Sequence, residues 1–323
     1  MVGQFLVLLT YMLIFGIALM LVAFGGMFSE RSGVINIGLE GIMVVGGFTA
    51  LLVLSGLNSL GVPNFVVIIV TLISAIISGM LYSLLLAVVC INFKADQTLV
   101  GTALNLLSTS LALILTKRLS GGVSTSIKYN KDDFIIPLTF KEGLTLNLNI
   151  FLFIGIFILL LSIFVLYKTK FGLRLRSCGE NPSAADSVGI NVKKYRYFGV
   201  LISGALGGLG AIAYILPTQS FWNSASGVAG FGFLALAVMI FGQWKPLRIF
   251  IVALVFSFFM SLSYIYYDFF NALLGIKLTA DKGVTKELFS MLPYIASLIL
   301  LAFSSKKSKA PKAEGIPYDK GAR

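Results

Sequence analysis

The sequence predicts an all-α fold, a polytopic membrane helical bundle of about nine spans with broken or re-entrant segments. Three observations predict it. Of 323 residues, 58% are hydrophobic and 12% charged, about half the charged share of a soluble domain. Seven stretches hold no Asp, Glu, Lys or Arg: 1–29, 41–93, 97–116, 143–167, 197–244, 249–267 and 288–305. A span takes roughly 20 apolar residues, so the two longest stretches each hold two passes. Finally, two glycine-interrupted segments, 33–48 and 217–242, lie in roughly corresponding halves of the chain. Such segments point to a central route between internal repeats.

The first span covers Phe5–Phe28. It lacks a basic start and a small-residue cleavage site, and so reads as a span, not a leader. The segment Gly33–Phe48 contains Asn36, Glu40 and five glycines. Glycine costs about 1 kcal/mol relative to alanine inside a helix, which argues against a plain lipid-facing helix there. Gly56, Asn58, Gly61 and Pro63 mark an outer turn before a third span, Asn64–Ile91, and Lys94-Ala95-Asp96 marks an inner turn before a fourth, Leu99–Thr116. Residues 117–149 form the largest outer loop, long enough for a small folded element. A fifth span, Ile150–Tyr167, precedes a basic inner loop, 168–196. The sixth span, Tyr197–Leu216, carries SGALGGLGA, small residues that let helices approach closely. Only about eleven apolar residues run from Phe231 to Phe241, too few for a straight span, so a broken or re-entrant element is expected. The expected organisation is one membrane domain over 1–303 and a disordered basic cytoplasmic tail over 304–323.

The net charge of +12 reads as membrane orientation. With nine spans, the loops on one side and the tail hold 17 of the 25 Lys and Arg. The positive-inside rule places that side, with the C-terminus, in the cytoplasm and the N-terminus outside. Nothing in this distribution asks for nucleic acid. With no His, no clustered carboxylates in a span and no paired Cys, ordinary acid/base or metal chemistry has no residues to use. Cys90 and Cys178 read as two reduced, unpaired thiols.

Candidate residues fall in two groups. In the inner loop, Asn181 is an N-cap with Pro182 at the first helical position. A short helix then ends at Gly189. Its small residues Ala184 and Ala185 let a partner groove approach the backbone, and Lys193, Lys194 and Arg196 anchor the next span at the inner leaflet. The second group is Asn36, Glu40, Gly41, Gln219, Phe221, Trp222 and Asn223, candidates for a solute route. Glu40 either faces the route or locks the bundle, or else sits at the inner boundary pairing with Arg31 or capping backbone amides. Asn36 reads as an interhelical hydrogen-bonding group. Phe221 and Trp222 either stack on a planar solute, with Gln219 and Asn223 hydrogen bonding to it, or form an interfacial aromatic belt.

The same residues carry a family resemblance. GENPSAADSVGI (179–190) resembles the coupling-helix signature of the branched-chain-amino-acid, ribose and nucleoside group of ABC-importer permeases. SGALGGLGA (203–211) is similar to the segment that follows it. ERSGVINIGLEGIM (30–43) is similar to the glycine-rich early motif in its nucleoside-type form, and GFGFLALAVMIFGQWKP (230–246) resembles the late motif. The terminal PYDKGAR has the subgroup's look as well.

The resemblance implies a transport subunit of a bacterial cytoplasmic membrane importer, closest to nucleoside permeases, and not an enzyme. Gly179, Glu180, Asn181, Pro182, Ala184, Ala185, Gly189 and Ile190 would then form the ATPase-coupling segment. The implied partners are cytoplasmic ATPase subunits, a second permease in a heterodimer and an extracytoplasmic solute-binding lipoprotein docking on 117–149 and 217–229. The chain has no G-x-x-x-x-G-K-[ST] loop. ATP and Mg are therefore expected on the partner, with no cofactor or metal held by this chain. A simple-sugar permease is the alternative within the group. An ion-coupled secondary transporter normally needs intramembrane ionisable groups, and only Glu40 is available.

Overall fold

The computed structural model describes residues 2–122, 124–129, 134–139, 145–274, 291–296, 298 and 310–320. α1 (Val2–Arg31) leads through a turn opened by Gly33 at φ +95° into α2 (Leu39–Ser59). α3 (Asn64–Ala87) starts after Pro63 and loosens into a π-helical turn at Val88–Asn92. α4 (Gln97–Leu119) begins where the Asp96 carboxylate accepts the Thr98 and Leu99 amides, both at 2.9 Å. α5 (Ile150–Lys168) is capped by Asn149 and α6 (Lys170–Glu180) by Thr169. After α7 (Pro182–Ser187) come α8 (Val192–Thr218), the short α9 (Phe231–Phe241) and α10 (Pro246–Leu274).

Seven helices among the described residues are long and apolar enough to cross a membrane: α1, α2, α3 with its π turn, α4, α5, α8 and α10 through Tyr266. α9 is the short element expected between 217 and 242. The further pass expected over 288–305 lies mostly outside the described residues.

Four short strands add a feature that hydropathy did not single out. β1 (Ser126–Lys128) pairs antiparallel with β4 (Phe221–Asn223), setting Ile127 opposite Trp222. β2 (Ile135–Thr139) and β3 (Thr145–Asn149) form a hairpin. The described parts of 117–149, expected as the outer loop, thus contain paired strands, one of them tied to the segment between α8 and α9.

α1 and α8 sit at the centre. From Ala18 to Phe24 every α1 side chain is fully enclosed. Small residues let α8 lie against its neighbours without side chains between the backbones. A Cβ on Gly46 would come within 2.6 Å of Gly208 Cα, and Gly79 and Gly208 abut the carbonyls of Gly204 and Ala75. α3, α4 and α5 instead expose Phe65, Leu81, Leu99, Leu106, Phe157 and Phe164, the large apolar side chains expected to face lipid.

Two expectations need correction. Residues 168–196, expected as a connecting loop with one short helix, hold more helix than that: α6 buries Gly172, Leu175, Cys178 and Gly179 along one face. Its seven basic residues, counted over the whole segment, obscured that helical period. The tail was expected to be disordered throughout. Residues 310–320 instead pack on the bundle, with the Ala313 amide donating to the Gly179 carbonyl at 2.8 Å. The cause is local satisfaction of backbone groups, which bulk polarity does not register.

Candidate functional site

One end of the bundle is built around α7. Asn181 adopts extended dihedrals and its Oδ1 accepts the Ala184 amide at 3.0 Å. Pro182 fills the first helical position, where its missing amide hydrogen leaves no bond unmade. The helix ends as Gly189, at φ +82°, donates to the Asp186 carbonyl at 2.9 Å. Asn191 caps α8 in turn, accepting the Lys194 amide at 3.0 Å.

α7 has an inner and an outer face. Ala185, 3% exposed, packs with Cys178 and Val192, and Ile190, Tyr195 and Tyr318 cover that cluster. Gly179 is buried with its Cα pressed against the Arg31 carbonyl. These two small residues seat the segment on the bundle. Asn181, Ser183, Ala184, Ser187 and Gly189 are exposed, as is Val188 at 74%. Glu180, also exposed, lies 3.7 Å from Arg31. Burial pushes the Cys178 thiol up to about 11, against a smaller opposing pull from Arg196, so it stays protonated. Both cysteines are free and buried.

The early motif forms a hub beneath α7. Arg31 donates through Nε and Nη2 to the Trp244 carbonyl at 3.3 and 3.0 Å, and Trp244 Nε1 donates to Glu30 Oε2 at 2.5 Å. Gln243 and Trp244 both take positive φ, 54° and 52°, which turns the chain sharply between α9 and α10. The non-helical stretch after α1 is satisfied by side chains from other helices. Gln97 accepts the Ile35 amide at 2.6 Å, and Asn105 receives the Gly41 amide at 2.8 Å while donating to the Ile37 carbonyl. Asn36, expected to bond between helices, lies in that non-helical stretch itself; it is fully buried and donates to Ser203 of α8 at 2.8 Å.

Glu40 caps backbone amides, one of the two readings its sequence position allowed. Its oxygens accept Gly230 at 2.8 Å and Gly232 at 2.6 Å, where α9 begins. The carboxylate therefore meets the positive end of a short helix inside the bundle. Asn36, Glu40 and Gly41 thus hold the broken segment together.

After α8, Trp222 is 4% exposed and its Nε1 donates to the Gly227 carbonyl at 2.8 Å. Asn223 Oδ1 accepts the Ala225 amide, and Phe221 is exposed. Gln219 borders a cavity of about 400 Å³ lined by Phe15, Tyr214, Thr218, Tyr264 and Tyr294. Tyr214 stacks on Phe231 at 4.2 Å between ring centres, and Tyr11 meets Tyr264 at 4.6 Å. Gln219, Trp222 and Asn223 also border a smaller cavity of about 80 Å³. Among the described residues no group of three His, Cys, Asp or Glu could hold a metal ion.

Sequence reading missed Glu30, Gln97, Asn105 and Ser203 as structural partners, and Tyr214 and Tyr264 as cavity walls. Glu30 carried a signal by standing in the same early motif as Asn36 and Glu40, and Ser203 by opening SGALGGLGA.

Comparison with known proteins places this geometry. The family model described as branched-chain amino acid transport system / permease component matches residues 8–301. The chain is 36% identical over 321 residues to the nucleoside ABC transporter permease protein NupC of Lactococcus lactis subsp. cremoris (strain MG1363), covering 97% of each. It is 39% identical over 319 residues to the guanosine ABC transporter permease protein NupQ of Bacillus subtilis (strain 168), covering 96% of each. The nucleoside ABC transporter permease protein NupB of the same Lactococcus strain is 27% identical over 182 residues, 55% of this chain and 46% of NupB. No solved structure matches the chain.

Proposed function

Because the chain belongs to the family of branched-chain amino acid transport system permease components, we propose that it is the permease subunit of an ATP-driven importer of nucleosides. Full-length similarity to NupC and NupQ supports the solute class. The aromatic cavity beside Gln219 supports it physically, since tyrosine and phenylalanine faces stack on planar rings.

The observation that carries the mechanism is α7. A capped, glycine-terminated helix presents an exposed face of small residues at the basic end of a membrane bundle. Separate cytoplasmic ATPase subunits grip that face, hydrolyse ATP with Mg and move the bundle between outward- and inward-open states. A motor shifts such an equilibrium only by binding the two states differently. Solute reaches the outer side from an extracytoplasmic binding lipoprotein that docks near the β1–β4 element. A second, related permease completes a heterodimer, a reading supported by the presence of both NupB and NupC in one strain.

The same geometry supports an outward N-terminus. Arg31 at the end of α1 lies beside Glu180, so with α7 in the cytoplasm the N-terminal end of α1 points outward. Reconstituted vesicles holding both permeases, the ATPase and the binding protein test the proposal. Guanosine uptake should require ATP and the ATPase subunit. Uptake driven by an ion gradient without the ATPase overturns it.

A further inference from the structure

The C-terminal residues 310–320 lie as a strap across the inner end of the bundle, and four elements hold it. The Ala313 amide donates to the Gly179 carbonyl at the end of α6 at 2.8 Å. Arg196 of α8, 2% exposed, donates through Nη1 to the Ile316 carbonyl at 2.9 Å. Lys94, in the turn between α3 and α4, pairs with Asp319 at 2.5 Å. Lys320 lies 3.6 Å from Asp186 on α7 itself. Gly315, at φ +77°, passes so close to Ile35 that a Cβ would come within 2.8 Å of its Cδ1.

The strap, the end of α7 and the turn into α8 border an open cleft of about 440 Å³ lined by Asp186, Gly189, Asn191, Lys193, Tyr318 and Lys320. We propose that residues 316–320 form the second half of the ATPase docking surface, so that the ATPase subunit seats on α7 and the strap together. This rests on the reading of α7 as the coupling helix. The cleft reaches α7 at Asp186 and the exposed Gly189 that ends it, and its lysines at 193 and 320 suit an acidic rim on the partner groove. Through Lys94 the strap also joins α7 to the base of α4, so a push on the helix reaches a second membrane segment directly.

The test uses the full complex, purified through a tag on this chain with its own ATPase subunit co-expressed. A chain ending at Lys309 and the variants Lys320→Glu and Lys94→Asp should insert normally. Each should retain less ATPase, by about tenfold for the truncation, equivalent to about 1.4 kcal/mol of docking energy. Lys94→Asp combined with Asp319→Lys should recover most of what Lys94→Asp loses, which a loss of general stability would not give. If the truncated chain does not accumulate, the two single surface variants, Lys320→Glu and Lys94→Asp, decide. Wild-type ATPase retention by all of them overturns the proposal. Ala184→Arg separates the two readings: loss of ATPase with that variant alone leaves α7 as the coupling helix and removes the strap.

Discussion

Glu40 of α2 and Gly232 of α9 meet at 2.6 Å, with the carboxylate oxygen accepting an amide from the first turn of the short helix. Gly232 can be nothing larger, because a Cβ there would stand 2.5 Å from the Glu40 backbone nitrogen. The contact fixes where the broken segment begins. A carboxylate that accepts two amides in this way ties α2 to the start of α9.

Glu40→Ala leaves the Gly230 and Gly232 amides without their acceptor. An unsatisfied buried donor costs about 1–3 kcal/mol. Thermal unfolding of the detergent-solubilised protein should show a clear loss of stability, with uptake reduced in proportion. Glu40→Gln, which keeps one acceptor oxygen, should lose less. Uptake by Glu40→Gln that falls to nothing while stability holds would assign Glu40 to the solute or an ion instead.

The two neighbouring alanines of α7 should behave differently. Ala184 is exposed and Ala185 is buried against Cys178 and Val192. Ala184→Arg should leave the protein inserted and stable while abolishing ATP-dependent uptake. Ala185→Arg should unseat the helix and lower thermal stability. Gly189→Pro should also abolish uptake, because proline holds φ near −65° and cannot adopt the +82° found there.

Gly208→Val drives a branched side chain into the Ala75 carbonyl of α3. Overpacking typically costs about 1–3 kcal/mol, and here backbone must move to relieve it. Reduced accumulation and a lower unfolding temperature are expected. Gly56→Val, at a position with open space around it, should be tolerated and serves as the control.

Tyr264 borders the large cavity and donates to the Thr218 carbonyl at 3.2 Å. An aromatic pair is worth about 0.5–1.5 kcal/mol, so Tyr264→Ala should raise the KM for nucleoside uptake by about twofold to twelvefold. ATPase retention should be unchanged. An unaltered KM would remove this cavity from the solute route.

Burial raises the Glu314 carboxyl to about 7, with the hydrogen bond to Glu30 and the Arg31 charge acting in the opposite direction. Arg31 is itself beside Glu180. The docked strap thus binds a proton more tightly than the free strap, whose Glu314 titrates near 4.5. The contribution is fully present below that free value and is lost as pH rises through about 7. Hydrogen exchange should show residues 311–320 better protected at pH 6 than at pH 8, and Glu314→Gln should flatten the difference.

The parts legible in the sequence were those set by local chemistry. Asn181, Pro182 and Gly189 announce α7 because cap, first position and terminator each act within a few residues. The short apolar run before Phe241 announces α9 by length alone. What stayed hidden depends on distant partners. Nothing near Ile316 signals that Arg196 will reach its carbonyl, and nothing in the three residues Ser126–Lys128 signals pairing with Phe221–Asn223. Trp222 shows the same limit, since belt and stacking both fit its position in the sequence while its Nε1 is taken up by Gly227.

The enclosure of α1 bears on biogenesis. The helix that is synthesised before every neighbour it packs against finishes innermost, with Glu30 relying on an indole that the ribosome adds only at position 244. Until then its polar end must remain at the interface or be sheltered by the insertion machinery. Assembly therefore closes around an early helix that waits, and quality control of this protein should be most demanding in that interval.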